Sequence, residues 1–408
     1  MSDIRVKNFG CRLNALEGDA ARAAAQEAGL QHATIINGCA VTQAAAAEAR
    51  RAARKARRDD PAHTVIVTGC AAQIAPTEFA RMPEVDRILG NGEKHDPKSY
   101  RTGARVQVGD IHRHTHMQPP PHTPQPRSRA FVQVQNGCDH SCTFCIIPQG
   151  RGRARALPVD DVVARCRQLV AEGHREIVLT GVDLTSWSDG AGGLGRLVRA
   201  VLEQVPELPR LRLSSIDVAE IDDELKAVIA DEPRLAPHLH LSLQAGDDMI
   251  LKRMKRRHNR AQAVDFCADM RARRPDLVFG ADLIAGFPTE NDAMFENTHE
   301  LIAECGLVWL HVFPFSPRPN TPAARMPAVP PEIVKSRAAK LRRAGDRQRG
   351  LWLAARVGTT LDALVETPTH ARSAHFARIA LDAPATPGRA ARITITGHDG
   401  AQLMGTLL

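Results

Sequence analysis

The first 95 residues alternate short apolar runs with alanine-rich segments of helical period. Strands that alternate with helices form a parallel sheet whose two faces are covered. The pattern therefore predicts an N-terminal parallel α/β domain over residues 1–95. Its helices are expected near residues 15–28 and 43–58, and its strands begin at Ile4, Ala33, Thr64 and Val85.

Residues 96–129 interrupt this pattern. The range holds the alternating histidines His112, His114 and His116 and is then dense in proline. Proline density without an apolar period is typical of an extended linker. The histidines could bind a metal, but without a rigid frame they are better explained as part of a solvated linker.

A longer repeat of strand and helix follows, and it predicts a partial (β/α)6 TIM-like barrel. This barrel belongs to a central domain over residues 130–356, which ends in a basic helix. Short β runs over residues 357–408 predict a small antiparallel β-barrel. Helices of the central domain are expected near residues 159–172, 194–205, 222–231, 260–273 and 291–304, and the late basic helix over residues 330–356. The predicted strands are Ala130–Gln135, Glu176–Thr180, Arg210–Ser214, His238–Leu243, Val278–Ile284 and Val308–Phe313.

Composition narrows the class of protein. The chain has 408 residues, of which 43% are hydrophobic, and a net charge of +8. These values fit a globular protein of two or three domains with a polyanionic partner such as nucleic acid. Only 4% of the residues are aromatic, which argues against a broad base-stacking surface. No apolar run approaches the ~20 residues of a membrane span, and the first residues lack a signal-peptide core, so a cytoplasmic protein is predicted.

Nine cysteines are too few, and odd in number, for a disulfide scaffold. In a reducing cytosol, cysteines persist as thiols, metal ligands or catalytic groups. Cys166, Cys267 and Cys305 lie in helical patterns and are interpreted as small buried residues. The other six lie in glycine-bearing loops.

Three of these six, Cys11, Cys39 and Cys70, each follow a glycine at the end of a predicted strand. Because the carboxyl ends of parallel strands share one edge, where ligands bind, these cysteines could converge. Glycine permits the close backbone approach that convergence needs. The alternative is three unrelated buried thiols, but the repeated Gly-Cys placement favours a shared site.

The remaining three, Cys138, Cys142 and Cys145, are spaced Cys-x3-Cys-x2-Cys in the loop after the first central strand. So short a loop can wrap three thiolates around one metal centre, but it lacks the fourth ligand that closes a structural zinc site. A cubane iron–sulfur cluster held by three cysteines keeps one iron open for chemistry. Polar or glycine-bearing ends on the other predicted strands favour a cofactor pocket at the same mouth.

The motif around the second set of cysteines is Gly137-Cys138-Asp139-His140-x-Cys142-x-Phe144-Cys145-Ile146-Ile147-Pro148, followed by Arg151-Gly152. With both sets of cysteines, the sequence resembles the methylthiotransferase family of radical S-adenosylmethionine enzymes. The resemblance covers almost the whole chain, and the last segment resembles the RNA-associated TRAM domain. Gly10-Cys11-Arg12-Leu13-Asn14 and the strand ends near Thr180 and Ser242 are similar to the branch that modifies threonylcarbamoyladenosine beside the anticodon. The alternatives are isopentenyladenosine at position 37 of tRNA and an aspartate of a ribosomal protein.

The resemblance implies two [4Fe–4S] clusters, one on each set of three cysteines. One S-adenosylmethionine would give the 5′-deoxyadenosyl radical and a second would donate the methyl group. It further implies a tRNA anticodon stem-loop as substrate and an electron donor such as flavodoxin or ferredoxin. The residues that it places in the S-adenosylmethionine pocket are Phe144, Asp183, Ser215, Ser242, Gln244, Arg256, Ile284 and Gly286.

Two of these pocket assignments can be weighed from the residues themselves. Ser242 and Gln244 alternate along one strand, so they face the same way, although ordinary polar strand-end residues would do the same. Arg256 lies in a basic run in which no single arginine stands out.

Three basic clusters could meet the phosphates of RNA or could be solvated faces. After residue 357 the arginines are balanced by acidic residues, so the terminal barrel is not basic. The clusters are Arg50, Arg51, Arg54, Lys55, Arg57 and Arg58; Arg151, Arg153 and Arg155; and Lys335, Arg337, Lys340, Arg342, Arg343, Arg347 and Arg349.

Two other classes of protein compete with the enzyme. An iron–sulfur electron carrier usually has fully ligated clusters, whereas both sites here stop at three cysteines. A zinc-stabilised RNA-binding module would bind zinc and no sulfide, which metal and sulfide analysis would reveal.

Overall fold

The computed structural model describes residues 2–101, 103–117, 119, 123, 125 and 127–408. The chain divides into two compact units. The first comprises Met1–Pro124, Gln135–Leu157 and Ser316–Ala324, and the second comprises Gln125–Val134, Pro158–Phe315 and Arg325–Leu408. The loop that carries Cys138, Cys142 and Cys145 therefore belongs to the first unit, together with Cys11, Cys39 and Cys70.

The first unit is built on a five-stranded parallel sheet, with its strands in sequence order. Helix Gln43–Asp59 shows how it is covered: Ala46, Ala49, Ala53 and Ala56 form one buried stripe at helical spacing. The predicted parallel α/β arrangement is confirmed. The strands are Asp3–Asn8, His32–Gly38, Thr64–Gly69, Arg87–Leu89 and Val106–Gln107, and the helices are Arg12–Glu27, Gln43–Asp59, Cys70–Ile74, Pro76–Ala80 and Lys98–Arg101.

This sheet extends beyond the predicted boundary at residue 95. Helix Lys98–Arg101 and strand Val106–Gln107, which pairs with Arg87–Leu89, lie in the range expected to be a linker. The fully buried Tyr100 donates its hydroxyl hydrogen bond to the Lys94 carbonyl at 2.7 Å. Elements of two to four residues are too short for periodicity to reveal. Much of the proline-rich stretch (residues 118, 120–122, 124 and 126) lies outside the described residues.

The second unit contains the predicted partial barrel. Its parallel strands form one sheet of three strands and one of four. An isolated parallel bridge between Leu211 and Leu235 connects the edge strand of the first sheet with the segment that leads into the second. The third predicted strand is split into Arg210–Leu213 and Ser215–Ile216, which pair with opposite neighbours. The other strands are Arg129–Gln133, Glu176–Thr180, His238–Gln244, Val278–Ala285 and Leu307–Pro314, and the helices are Val159–Ala171, Leu194–Gln204, Asp223–Asp231, Asp248–Met254, Arg260–Arg273 and Asp292–Glu304.

The same unit ends in a long helix and a closed five-stranded barrel. The barrel is confirmed, but the pairing of Arg378–Leu381 with Leu403–Leu407 is parallel, whereas an antiparallel barrel was predicted. Strand His370–Ser373 was missed because four residues give little alternation. The helix is Pro331–Ala354, and the barrel strands are Thr360–Thr367, His370–Ser373, Arg378–Leu381, Ala390–His398 and Leu403–Leu407.

The terminal barrel is anchored to the amino-terminal ends of the parallel strands. Phe376, at φ 75°, stacks on His238 with ring centroids 4.8 Å apart. Three guanidinium groups, those of Arg129, Arg212 and Arg372, lie within 5.4 Å of the same ring. Such cation–π contacts contribute about 0.5–1 kcal/mol each, and more when desolvated.

The interpretation of three cysteines as small buried residues is confirmed by their burial. Cys166, Cys267 and Cys305 are fully buried, as interpreted from their helical patterns. Among the residues described, no helix is both long enough and apolar enough to span a membrane.

Candidate metal centres and cofactor pocket

The first set of cysteines lies along the carboxyl edge of the five-stranded sheet. Cys39 and Cys70 directly follow the second and third strands, and Cys11 is the N-cap of helix Arg12–Glu27. A methyl group on Gly10, which has φ 94°, would lie 2.7 Å from both Cβ and Sγ of Cys39. The glycine is therefore required for both its backbone conformation and the close approach of two cysteine loops.

The three thiols of this set act on one another electrostatically. Burial raises the pKa of Cys39 to about 11; the N–H of Val41 opposes this rise, and the neighbouring Cys70 and Cys11 add to it. Gathering three thiolates in this place is unfavourable unless a cation binds them, and a bound metal deprotonates a thiol outright. The predicted convergence of the three cysteines is thus consistent with a metal centre.

The second set is held by a compact loop. The N–H of Cys138 donates to the carbonyl of Gly152 at 3.1 Å, and the N–H of Cys145 donates to that of Cys142 at 3.1 Å. Gly137, at φ 73°, leaves room for the carbonyl oxygen of Arg153, which a Cβ there would meet at 1.8 Å. These contacts hold the loop that carries the three cysteines in a compact conformation.

Hydrogen bonds to sulfur occur in both sets. In three cases the N–H two residues after the cysteine donates to its Sγ, at 3.4–3.5 Å: these pairs are Val41 with Cys39, His140 with Cys138 and Ile147 with Cys145. The side-chain amide of Asn91 donates to Sγ of Cys70 at 3.6 Å. Such donors stabilise metal-bound thiolates and tune cluster potentials, so the donor set fits iron–sulfur clusters.

Asn91 also links the two loops. Besides Cys70, its amide contacts the carbonyl of Gly150 at 2.6 Å. A Cβ on Gly150 would lie 3.3 Å from Cβ of Cys70, which shows how closely helix Ile147–Arg151 packs there. The segment after the second set of cysteines therefore lies directly against the first set.

Arg151 belongs to a basic cluster that could meet RNA or form a solvated face, and the structure excludes both for this residue because it is buried. Its side chain is 1% exposed and donates to both carboxylate oxygens of Glu17, at 2.7 and 2.9 Å. Lys94, equally buried, donates to the same carboxylate at 2.7 Å. Burial by itself would raise the pKa of Glu17, but the charges of Arg151 and Lys94 outweigh burial and hold it far below its usual range.

The predicted pocket residues are divided between the units. Phe144 belongs to the first unit, next to Cys145, and the other seven belong to the second. Six of those seven lie at or just after the carboxyl ends of parallel strands, as expected for a barrel site, and Arg256 follows helix Asp248–Met254. Gln244, a non-glycine residue with φ 69°, and Gly286 with φ 72° mark the strand ends at which the backbone turns sharply.

Arg256 stands out from its basic neighbours in the structure. Its Nη2 donates to Oδ2 of Asp217 at 2.8 Å and to the carbonyl of Ser242 at 2.6 Å. Its side chain is 8% exposed, compared with 40% for Arg257. Asp217, a polar strand-end residue to which the sequence analysis assigned no individual role, thus fixes the direction of Arg256 beside a predicted pocket strand.

His240, Asp282 and His311 form a second polar group, which the sequence analysis did not predict as a group. Oδ1 of Asp282 lies 2.9 Å from Nε2 of His240 and 3.1 Å from Nδ1 of His311, on three adjacent strands. Burial would raise the pKa of Asp282, but hydrogen bonds from both imidazoles hold it well below its usual range. The period of two could have found two of these residues, because His240 precedes Ser242 by two positions and Asp282 precedes Ile284 by two.

The other basic clusters are only partly available to an external partner. On helix Gln43–Asp59, Arg50, Lys55 and Arg57 are paired with acidic residues of the same unit. Arg337 is buried against Glu290, at 2.8 Å, and is a structural residue. The exposed cations of the long helix are Lys335, Lys340, Arg342, Arg343 and Arg347.

Comparisons with known proteins agree with this geometry. Residues 132–302 match the radical SAM superfamily, and residues 3–90 match the uncharacterized protein family UPF0004. The chain is 48% identical over 385 residues to the threonylcarbamoyladenosine tRNA methylthiotransferase MtaB of Rickettsia prowazekii, covering 92% of this chain and 91% of that protein. It is 35% identical to the protein of that name from Thermotoga maritima, with 82% and 80% covered.

A further relative and one solved structure extend the comparison. A tRNA-2-methylthio-N(6)-dimethylallyladenosine synthase from Erythrobacter litoralis is 32% identical, with 89% of this chain and 86% of that protein covered. The solved radical S-adenosylmethionine methyltransferase TsrM of Kitasatospora setae superposes with a TM-score of 0.58 at 12% identity, over 79% of this chain and 77% of that one. This last similarity is one of fold alone.

Proposed function

Because the chain belongs to the methylthiotransferase family of radical S-adenosylmethionine enzymes, we propose that it transfers a methylthio group to C2 of threonylcarbamoyladenosine at position 37 of tRNA. Membership of the family confirms the predicted cofactors, two [4Fe–4S] clusters and S-adenosylmethionine. The observation that carries the choice of substrate is the 48% identity to the R. prowazekii protein over 92% of the chain. Two relatives that are named for dimethylallyladenosine are 32% and 33% identical to this chain, which favours the threonylcarbamoyl substrate over that alternative.

Cys138, Cys142 and Cys145 would hold the cluster at which S-adenosylmethionine is cleaved. Cys11, Cys39 and Cys70 would hold the second cluster. When bound, these groups supply a 5′-deoxyadenosyl radical from one S-adenosylmethionine and a sulfur methylated by another. The hydrogen bonds from the backbone N–H groups to Sγ of Cys39, Cys138 and Cys145 orient the thiolates for this task.

In the second unit, Arg256 would bind the carboxylate of S-adenosylmethionine. Its guanidinium is held by Asp217 and by the Ser242 carbonyl, so little side-chain entropy is lost when the ligand binds. Ser242 and Gln244 lie at the end of the same strand, where the backbone turns at Gln244, and would contact the ligand there. The electron is expected from a flavodoxin- or ferredoxin-type donor.

The anticodon stem-loop of tRNA is the proposed macromolecular substrate. Exposed cations on helix Pro331–Ala354 provide a surface for its phosphates, and phosphate contacts dominate the affinity of most RNA-binding surfaces. The terminal barrel, which carries balanced charge, would contribute shape more than electrostatic attraction.

The proposal is tested by mass spectrometry of tRNA nucleosides from a deletion strain that lacks redundant enzymes. The 2-methylthio form of threonylcarbamoyladenosine should disappear and return when the wild-type chain is supplied. Persistence of that nucleoside in the deletion strain would refute the substrate, and loss of the 2-methylthio form of isopentenyladenosine would select the other branch.

Variants separate the two sets of cysteines. C39A should still cleave S-adenosylmethionine when reduced but should not methylthiolate, whereas C142A should lose both activities. C166A is the matched control, because this cysteine is fully buried and has no proposed role in either site. Loss of cleavage in C39A with full iron on the other set would argue against two separate tasks.

A further inference from the structure

A buried ionic network lies beside the first set of cysteines, and the proposed function described above gives it no role. It consists of Arg151, Glu17 and Lys94, all with side chains 1–2% exposed. Asn14 completes it, because its Oδ1 accepts from Nη2 of Arg151 at 2.6 Å. Two cations and one anion are thus enclosed together, with a net positive charge.

Burying these charges destabilises the fold unless other interactions compensate for the lost solvation. Desolvating an ion costs several kcal/mol even after relaxation, and a buried ion pair is often no more stable than apolar side chains of the same volume. A network with unequal charges has a further cost, since one positive charge stays uncompensated. A cluster held by the neighbouring cysteines would bring negatively charged thiolate ligands to this place and would provide that compensation.

Hydrogen bonds connect the network with those cysteines: Nζ of Lys94 donates to Oδ1 of Asn91 at 2.7 Å, and the side-chain amide of Asn91 donates to Sγ of Cys70 at 3.6 Å. The charges act in the same direction. Burial alone would lower the pKa of Arg151, but the charges of Cys70, Glu17 and Cys11 raise it. Lys94 is influenced by Cys70 in the same sense, and burial dominates its lowered pKa. Arg318, 8% exposed, adds another cation whose charge interacts with Cys39.

The network also joins two segments that are distant in sequence. Arg151 is the last residue of helix Ile147–Arg151, which follows the second set of cysteines, whereas Glu17 lies on the helix that begins after Cys11. Nη1 of Arg151 reaches Oδ1 of Asn136 at 3.0 Å on the other side of the loop. The position of the loop that carries Cys138 is therefore coupled to the edge that carries Cys11.

We propose that Arg151 is a positioning residue for the auxiliary cluster: its buried charge stabilises the thiolates of Cys11, Cys39 and Cys70, and its bonds to Glu17 fix the adjacent loop against them. This inference rests on the proposed function, since it assumes a cluster on the first set of cysteines. A nearby positive charge favours the more negative, reduced form of a cluster. Removal of Arg151 should shift the midpoint potential downward, and removal of the Glu17 charge should shift it upward.

The experiment uses the full-length chain with C138A, C142A and C145A, so that only the auxiliary cluster is assembled. In this background the midpoint potential and the iron content are measured for R151M, R151K and E17Q. The matched control is R153M, in the same loop, because the Arg153 side chain is 68% exposed and pairs with the exposed Asp139.

Opposite shifts for R151M and E17Q, with R151K and R153M close to the parent potential, would support the proposal. A network that only packs the loop would move R151M and E17Q in the same direction and would make R151K as defective as R151M; either result would overturn it. If R151M fails to assemble its cluster, the nearly isosteric E17Q still decides, since an unchanged or lowered potential would refute the charge effect.

Failure of the proposed function would look different. In that case the parent variant with C138A, C142A and C145A would assemble no cluster on the remaining cysteines, or tRNA would remain unmodified by the wild-type chain. A normal auxiliary cluster whose potential ignores both Arg151 and Glu17 would refute only the inference about the network.

Discussion

Glu176 offers a quantitative test of how the second unit is held together. It begins the strand Glu176–Thr180 and is 1% exposed. Its carboxylate accepts from Nε of Arg212 at 2.7 Å and from Nη1 of Arg210 at 3.2 Å. Because Arg212 is also fully buried, the substitution E176Q would leave that guanidinium without its counter-ion.

The size of the effect follows from two independent arguments. Burial by itself would raise the pKa of Glu176, but Arg212, Arg210 and Arg129 lower it from 4.5 to about 2. At 1.36 kcal/mol for each pKa unit, this corresponds to about 3 kcal/mol of stability. Removing one partner of a buried pair typically costs about 3–5 kcal/mol. We therefore expect E176Q to lower the free energy of unfolding of the second unit by about 3 kcal/mol at pH 7.

Tryptophan fluorescence isolates this unit, because Trp187, Trp309 and Trp352, the three tryptophans of the chain, all lie in it. Urea unfolding followed at these residues gives the change in stability. The exposed pair of Glu224 with Arg199 supplies the control, and E224Q should cost at most about 1 kcal/mol. The double variant E176M/R212M should recover much of the loss, because a buried pair replaced by apolar side chains leaves no unpaired charge.

The same carboxylate gives a pH dependence of known sign. A carboxyl group whose pKa is lowered in the folded state contributes its full stability above about pH 4.5, and the contribution is lost as the pH falls toward 2. The wild type should therefore lose more stability than E176Q over this range. A cost below about 1 kcal/mol for E176Q, or equal acid sensitivity in both proteins, would refute this account of the network.

Three further predictions concern other parts of the chain. Burial lowers the pKa of His375 from 6.5 to about 4. Because the folded state favours the neutral imidazole, stability is lost as the pH falls below 6.5. The variant H375F should lose about 2 kcal/mol less stability than the wild type between pH 7 and 5, as measured by tryptophan fluorescence. G10A should halve the iron content by displacing Cys39, whereas G29A, with a similar positive φ but nothing within 4 Å of its Cβ, should keep it. R342A/R343A should reduce the salt dependence of tRNA binding by about two phosphate contacts in a filter-binding assay, while R273A, whose partner is Asp269, should not.

The fold was largely predictable because most elements are long and periodic. The stripe of alanines on helix Gln43–Asp59 and the apolar run Glu176–Thr180 give strong signals, and both elements were found within a residue or two. Short elements were not found, such as Val106–Gln107, whose identity as a strand depends on its pairing with Arg87–Leu89. The parallel pairing inside the terminal barrel likewise depends on which strands become neighbours and not on their own sequence.

Charged residues were the hardest to interpret. Arg151 and Arg153 stand two positions apart in one basic loop, yet the first is buried against Glu17 and the second is exposed. No local pattern distinguishes them, because their partners Glu17 and Asp139 differ by more than a hundred residues in sequence position. Arg256 and Arg257 show the same limit. Both contact Asp217, and only Arg256 is buried and also donates to the Ser242 carbonyl.

The sequence by itself determined the chemistry: two sets of three cysteines, each beside glycine, and the strand–helix repeat that places one set at strand ends. These are local facts, because ligand type and spacing depend on residues that are close along the chain. Only the tertiary structure decided which charges are enclosed and which are free to meet a partner, as Glu17 with Arg151 and Glu176 with Arg212 illustrate. The free energy of a charge depends on its solvation and its partner, and both are fixed only when distant segments pack together.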